Sequence, residues 1–434
     1  MADVHLPVRI NQDIPLLKVI LKKLADLDKI DASVFDHDFI NTYTNGYTDV
    51  MNDINTYDID KLILQSGVSE EKINQVVEIL AKKTKIVVCW AMGLTQHKNG
   101  VENIREYVNL LLLKGAIGKP NAGTCPVRGH SNVQGDRSVG IMHFVDEVLN
   151  KRIEKHLGFI PPDKEGLDVV GAMKAMYENM CLGGNFLMAA SDTEYTAKAL
   201  QNCNLTVQVS TKLNRTHLIT GRTALILPTY GRSEKDIKDG KQRFITVENS
   251  MGRVRQSKGL LKPASENIKS EPDIIAELAD AYFKGNHSVD WKALGADYNL
   301  IREKIDLVAK GFERTTEQSK GVGYYLPNNI RNLDFSMLPN GKAQFSINKI
   351  AVHQLKENEF MNKEDMQNCG FKKLDVVNLK SCYDGKTRTA FNFKIIPYAI
   401  PKGDVAAYFP ETNVLVPYNH FADKSKTPIS KSIR

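Results

Sequence analysis

Residues 69–115 carry the pattern that most limits the fold. Ser69 stands where it can cap a helix, and Glu70 and Glu71 follow in the first turn, where the helix dipole favours negative charge. Ile73, Val76, Val77 and Leu80 recur at helical spacing and form one apolar stripe. The run I-V-V-C-W at 86–90 then reads as a buried strand, and the polar loop G-L-T-Q-H follows at 93–97. A second helix carries Val101, Ile104, Val108 and Leu111 on one face and stops at Gly115. Helix, strand, loop and helix in succession build a parallel α/β sheet.

The pattern repeats. Residues 168–180 read as a helix, C-L-G-G-N at 181–185 as a strand end and turn, and 193–203 as helix again. An alternating strand is expected at 205–209 and a buried one at 223–227. Ligands of open α/β sheets settle at the carboxyl ends of the strands, where the loops at 93–97, 183–192 and 208–215 fall. Ser270 is a good N-cap, with Pro272 in the first turn and Asp273 at the capping-box position. Residues 285–340, rich in Asn and Lys, read as helix and connecting segment. From 371 onward the signals are β. Residues 376–379 and 391–396 flank an Asp384-Gly385 turn, which predicts a hairpin, and 406–410 and 414–417 read as short strands. The expected fold class is α/β, with parallel-sheet α/β domains followed by a small C-terminal β-barrel domain.

A chain of 434 residues can hold two or three domains. With 42% hydrophobic and 25% charged residues it is neither wholly disordered, collagen-like nor a coiled coil. The aliphatic run at 110–113 is far too short to span a bilayer, and the first ten residues lack the apolar core of a signal peptide. The expectation is a soluble, cytoplasmic protein without membrane insertion. The net charge of +7 comes from basic residues scattered among acids, which reads as a solvated surface rather than a nucleic-acid site. Six cysteines, at 89, 125, 181, 203, 369 and 382, form no C-x-x-C pair. They read as buried free thiols in a reducing compartment.

The densest loop is G-A-I-G-K-P-N-A-G-T-C-P-V-R-G-H-S-N-V-Q-G-D-R, residues 115–137. Its glycines allow backbone to approach a ligand, and Arg128, Asn132, Gln134, Asp136 and Arg137 supply charge and amide groups. It suits a polar heterocycle or a pyrophosphate, or equally a long surface loop whose glycines only turn corners. Gly183-Gly184-Asn185 is a weak phosphate-turn signal and not a dinucleotide fingerprint, so a nicotinamide cofactor finds no support. The T-K-L-N-R segment at 211–215 could hold an anion or be a solvated corner. His97 and His130 lie in suggestive loops, and Cys125 reads as a packing residue. No nucleophile elbow or Ser-His-Asp order stands out, so the chain reads as a cradle rather than a chemical catalyst.

The segments C-W-A-M-G-L-T-Q-H (89–97), N-L-L-L-L-K-G-A-I-G-K-P-N-A-G-T-C-P-V-R-G-H-S-N-V-Q-G-D-R (109–137), G-G-N-F (183–186), S-T-K-L-N-R-T-H (210–217), I-L-P (226–228) and V-A-A-Y-F-P-E-T-N-V-L-V-P (405–417) resemble the molybdopterin oxidoreductases, and within them the formate-dehydrogenase-like alpha subunits. The resemblance runs over nearly the whole chain. It implies a molybdenum-bis(molybdopterin guanine dinucleotide) cofactor between two α/β domains and a C-terminal double-psi β-barrel. Residues 1–96 would be part of one α/β domain, 97–285 most of the other, 286–340 a linker and helical segment, and 341–434 a shortened dinucleotide-binding barrel.

By the same resemblance Gln96 would approach the pterin on the molybdenum side and the substrate channel, as the one catalytic candidate. Asn132 and Gln134 would line the pterin crevice. Gly184, Asn185, Gln208, Thr211 and Lys212 would meet a guanine dinucleotide arm, Glu271 would approach a guanine, and Asn413 would hydrogen-bond a pterin. No residue matches the family's metal ligand or its iron–sulfur cluster cysteines, so these would lie in an N-terminal half or complementing subunit. The barrel loop between 350 and 363 is shortened, and strands supplied from outside the chain would leave sheet edges exposed. The expected function is the C-terminal part of a molybdopterin-dependent oxidoreductase, performing two-electron chemistry at molybdenum only with that partner. The alternative is a non-catalytic remnant or binding subunit that keeps the α/β fold.

Overall fold

Helix α1 (Asp13–Asp28) is apolar around most of its circumference, and a helix of that kind belongs in an interior. In the computed structural model, which describes residues 2–177, 185–350 and 362–430, it forms the centre of one of two compact units. Unit 1 comprises Met1–Pro126, Ser191–Thr193 and Asn329–Arg434, and unit 2 comprises Val127–Ala190 and Glu194–Asn328.

In unit 1, α1 packs against α2 (Ile59–Ser66), α3 (Glu70–Lys82) and α4 (Gly100–Leu113). Val19, Leu21, Leu24, Ile73, Leu112 and Leu113 are buried in the shared core, each contributing about 1.5–3 kcal/mol. The predicted stripe on α3 is the buried one, with Ile73 and Val77 in the core and Val76 and Leu80 packed against it. Ser69 has an extended N-cap backbone but its side chain makes no cap bond. Glu70 of that first turn pairs instead with Lys23 of α1 at 2.6 Å. Lys18 of α1 is buried, with Nζ 2.7 Å from Asp53 and 3.6 Å from Glu106. Glu106 Oε2 also accepts from Asn109 at 3.1 Å and from Asn348 at 2.7 Å. Helix α4 ends before Gly115, which has φ +50° and where a Cβ would overlap the Asp36 carboxylate.

Strand β1 (Val87–Trp90) runs parallel to β2 (Gly123–Pro126), with Cys89 opposite Cys125. It alternates exposed and half-buried residues rather than being buried throughout, because among the described residues this sheet has two strands. The C-terminal part of unit 1 contains the predicted hairpin. Val376–Tyr383 pairs antiparallel with Lys386–Lys394 across Asp384 and Gly385, both at positive φ, as a type I′ turn requires. The segments expected as strands at 406–410 and 414–417 differ. Phe409–Thr412 is a helical turn and Asn413–Leu415 a 3-10 turn. Pro410 favours a helix start, and the Thr412 hydroxyl donates back to the Tyr408 carbonyl at 2.9 Å. Among the described residues 341–434 the strands are this hairpin and Ala343–Gln344, which pairs parallel with Thr44–Asn45, and they close no barrel. The shortened loop between 350 and 363 falls mostly outside the described residues.

In unit 2, α5 (Thr193–Asn202) leads into β3 (Leu205–Ser210), which pairs parallel with β4 (Thr223–Pro228). The predicted order of elements is found, but β4 is exposed on both faces instead of buried. Leu205, Leu225 and Ile226 remain 44–45% exposed, because among the described residues the ladder again has two strands. Sequence periodicity did not anticipate an antiparallel sheet of β5 (Ile245–Glu248), β6 (Arg253–Ser257) and Tyr324–Tyr325. Helix α6 (Glu271–Phe283) starts as predicted, with the Ser270 hydroxyl oxygen accepting from the Asp273 N–H at 3.1 Å. Asp273 does not close a capping box. Its carboxylate shares Arg243 with Asp236, at 2.6 and 2.5 Å, and α7 (Tyr298–Val308) adds the Tyr298 hydroxyl 2.8 Å from Asp236. The helix expected at 168–180 is seen as Val169–Tyr177, and the strand end and turn beginning at 181 lie outside the described residues up to Gly184. No helix among the described residues is long and apolar enough to cross a membrane.

Candidate functional site

Unit 1 holds a cavity of about 580 Å³, within the range of small-molecule sites. The chain enters it through R-I-N-Q-D at 9–13, where Asn11 takes a left-handed φ of 58° and α1 begins at Asp13. Asn11 is 5% exposed, and neither its carbonyl oxygen nor its amide nitrogen has a partner. Buried amides are almost always paired, and this one lies on the cavity wall with both ends open to a ligand or a water. Burial pushes the Asp13 carboxyl up to about 6. It also pushes up Asp404, against the Ile10 N–H that donates to its Oδ2 at 3.0 Å and against the nearby Arg9. The Tyr107 phenol is raised by burial and then by Asp13. Trp90 and His97 complete the wall, and His97 Nε2 lies 2.8 Å from the Gly93 carbonyl. Such a cavity disfavours anions and suits a neutral heterocycle with N–H donors.

Gln96 sits beside this cavity. Its Oε1 accepts from the Ser430 hydroxyl at 2.5 Å, and Ser430 itself lines the wall. The Gln96 amide nitrogen has no partner among the described residues. Asn413, also in unit 1, is fully buried in its 3-10 turn and does not line the cavity.

Unit 2 brings Asn132 and Gln134 together on a cavity of about 360 Å³. Both amides serve the protein. Asn132 Oδ1 accepts from the Glu248 N–H at 2.9 Å, its Nδ2 donates to Asp136 at 3.2 Å, and Gln134 Oε1 accepts from Arg128 at 3.1 Å. The groups left facing this space are cationic or unpaired. Arg128, Arg253 and Arg255 line it, the Arg253 Nε is buried without a partner, and burial raises Glu248. Arginines in a concave wall match phosphate oxygens.

The carboxyl end of β3 gathers a third group. The Thr216 hydroxyl donates to Asn185 Oδ1 at 3.2 Å, and Gln208 Nε2 donates to the Thr216 carbonyl at 3.1 Å. Gln208 Oε1 is buried without a partner. Thr211 and Lys212 follow β3 and are exposed. Glu271 lies elsewhere in unit 2, at the start of α6 on a smaller cavity of about 110 Å³ next to Arg243. Gly184 lies outside the described residues. Among those described, no cluster of three His, Cys, Asp or Glu side chains could hold a metal ion.

Sequence reasoning missed Asn11, Asp13, Tyr107 and Asp404. The available signal was N-Q-D at 11–13, at the start of a helix that is apolar around most of its circumference, since a cap needs one polar residue and not three.

No protein-family profile matches the chain. An uncharacterized oxidoreductase of Mycobacterium tuberculosis (strain ATCC 25618 / H37Rv) is 36% identical over an alignment that covers 100% of this chain and 61% of the relative. The protein YdeP of Escherichia coli (strain K12) is 32% identical, covering 100% of this chain and 63% of its own. A putative formate dehydrogenase of Bacillus subtilis (strain 168), YrhE, is 29% identical over 58% of this chain and 26% of its own. Named oxidoreductases are thus among its relatives. The chain spans about three fifths of the length of the first two. Acetylene hydratase from Pelobacter acetylenicus matches the structure with a TM-score of 0.64 at 15% identity, over 100% of this chain and 70% of that one. At that identity the likeness is one of mixed α/β fold.

Proposed function

We propose that the chain is part of a molybdopterin-dependent oxidoreductase of formate-dehydrogenase-like type, binding a bis(molybdopterin guanine dinucleotide) cofactor. The observation that carries this reading is the Asn11 amide, buried and unpartnered on the unit 1 cavity. Pterin and guanine share a 2-amino-4-oxo edge with two adjacent N–H donors and a carbonyl. Asn11 and Asp13 supply an amide and a carboxyl of the complementary type. When bound, the cofactor supplies two-electron chemistry at its metal. The residues here hold and orient it. Asp13 and Asp404, whose carboxyls burial pushes up, offer hydrogen-bonding oxygens to the N–H groups of a heterocycle. Gln96, held through Ser430, keeps an amide N–H₂ for ligand or substrate. In unit 2 the arginines around Asn132 and Gln134 suit a pyrophosphate, and the open Gln208 carbonyl suits a donor on a nucleotide arm. The hairpin Val376–Tyr383 and Lys386–Lys394 would belong to the double-psi barrel.

The same reading calls for a polypeptide that brings the metal ligand and the iron–sulfur cluster. The exposed β3–β4 ladder supports it. Parallel strands are normally covered on both faces, and Leu205, Leu225 and Ile226 are not. The test is co-production of this chain with a polypeptide matching the remaining two fifths of the mycobacterial relative. Co-purification with molybdenum and a fluorescent oxidised pterin is expected, and Asn11→Ala should lower the pterin content at least tenfold. A stable complex lacking both metal and pterin ends the cofactor reading and leaves a non-catalytic binding subunit.

A further inference from the structure

Five cysteines are described, and Cys203 alone among them is buried. Cys89, Cys369 and Cys382 are exposed and Cys125 is half-buried, which corrects the expectation of buried thiols. Two of these meet. Cys89 and Cys125 are register partners on adjacent parallel strands, so their side chains leave the sheet on the same face. Neighbouring strands lie about 4.8 Å apart, inside the Cα separation of roughly 4.4–6.8 Å that a disulfide spans. Burial, and then the Cys89 thiol hydrogen-bonded to it, push the Cys125 thiol up. Cys89 also lines the unit 1 cavity, next to Trp90, so small molecules reach it.

We propose that Cys89 and Cys125 are a redox-active dithiol that closes reversibly to a disulfide in the wall of the unit 1 cavity. The oxidant is a low-molecular-weight disulfide such as oxidised glutathione. Exposed Cys89 is the attacking group. Its thiolate bonds to one sulfur of the oxidant, and the other sulfur leaves as a thiolate. Cys125 then loses its proton and attacks the Cys89 sulfur, which expels the second glutathione thiolate. Two protein thiols are oxidised, one external disulfide is reduced to two glutathione thiolates, and the two protons given up by Cys89 and Cys125 are taken up by those thiolates. Cys125 is the resolving residue, because it is half-buried and the second, intramolecular step needs no access to the external disulfide. The disulfide ties β1 to β2 and fixes the cavity wall. This inference does not depend on what the cavity binds.

The full chain, equilibrated with glutathione at graded ratios of oxidised to reduced form, acid-quenched and alkylated, reports each cysteine by peptide mass spectrometry. Cys89 and Cys125 should lose alkylation together, over the same ratios, and yield one cross-linked peptide pair. Cys369 and Cys382, equally accessible, should show no intramolecular partner. In Cys125→Ser, Cys89 should stop at the glutathione adduct, raising that adduct at least tenfold over wild type. Cys89→Ser should leave Cys125 alkylated throughout. Independent oxidation of the two, or equal Cys89 adduct in wild type and Cys125→Ser, overturns the proposal.

Discussion

Asp13→Asn isolates the electrostatic character of the unit 1 cavity. Asp13 is 8% exposed, and burial lifts its carboxyl from an ordinary 3.8 to about 6. At about 1.4 kcal/mol per pKa unit the difference is worth about 3 kcal/mol. A raised acid binds its proton more tightly folded than unfolded. Its stabilising contribution is complete below pH 3.8 and is lost as the pH climbs through 6. Asparagine has the same shape and stays neutral. The variant should match wild type near pH 4 and exceed it at pH 7.5 by up to about 3 kcal/mol. That figure is a ceiling, since the new N–H₂ group needs its own partner. Glu106 and Asp404, also raised by burial, impose the same slope on both proteins and cancel in the comparison. The chain has two tryptophans, Trp90 in unit 1 and Trp291 in unit 2. Urea unfolding followed by Trp90 fluorescence in a Trp291→Phe background therefore reads unit 1. Parallel stability curves between pH 4.5 and 7.5, or a variant less stable than wild type at the upper end, would refute the reasoning.

Lys18→Met leaves Glu106 buried without its cation, and breaking such a pair should cost unit 1 about 3–5 kcal/mol in the same urea assay. Arg243→Lys cannot bridge Asp236 and Asp273 with a planar fork; a loss of about 2–3 kcal/mol is expected in unit 2, read by Trp291 fluorescence in a Trp90→Phe background. Gly115→Ala places a Cβ against Asp36 at a left-handed position and should lower the thermal midpoint of unit 1, at a cost of about 1–3 kcal/mol.

Local order was legible where periodicity and capping agree. The α3 stripe, the Ser270 start of α6 and the Asp384-Gly385 hairpin are all found. Burial was less legible. The apolar runs at 86–90 and 223–227 look like buried strands, because sequence alone does not say how many neighbours a strand has. V-A-A-Y-F-P reads as strand by composition, yet Pro410 turns it into a helix start. The antiparallel sheet around β6 depends on pairing with Tyr324–Tyr325, too far along the chain for local patterning to report.

The candidate site divides along a different line. The motif loop at 115–137 does reach a cavity, but Asn132 and Gln134 are consumed in holding β5, Asp136 and Arg128 in place. A motif residue can therefore be specific to a fold while its polar atoms face inward. Among the buried atoms that folding left unpaired in the candidate site are both ends of the Asn11 amide, Gln208 Oε1 and Arg253 Nε. An unmet buried hydrogen bond costs about 1–3 kcal/mol, so three such residues represent stability surrendered unless something outside the chain completes them. Asn11 shows this most plainly, since its left-handed backbone adds strain to the cost. Asn11→Gly would relieve both and should stabilise unit 1 in urea by about 1–2 kcal/mol while abolishing ligand retention. A variant less stable than wild type would mean that Asn11 serves the fold, and the cavity would lose its strongest claim to a ligand.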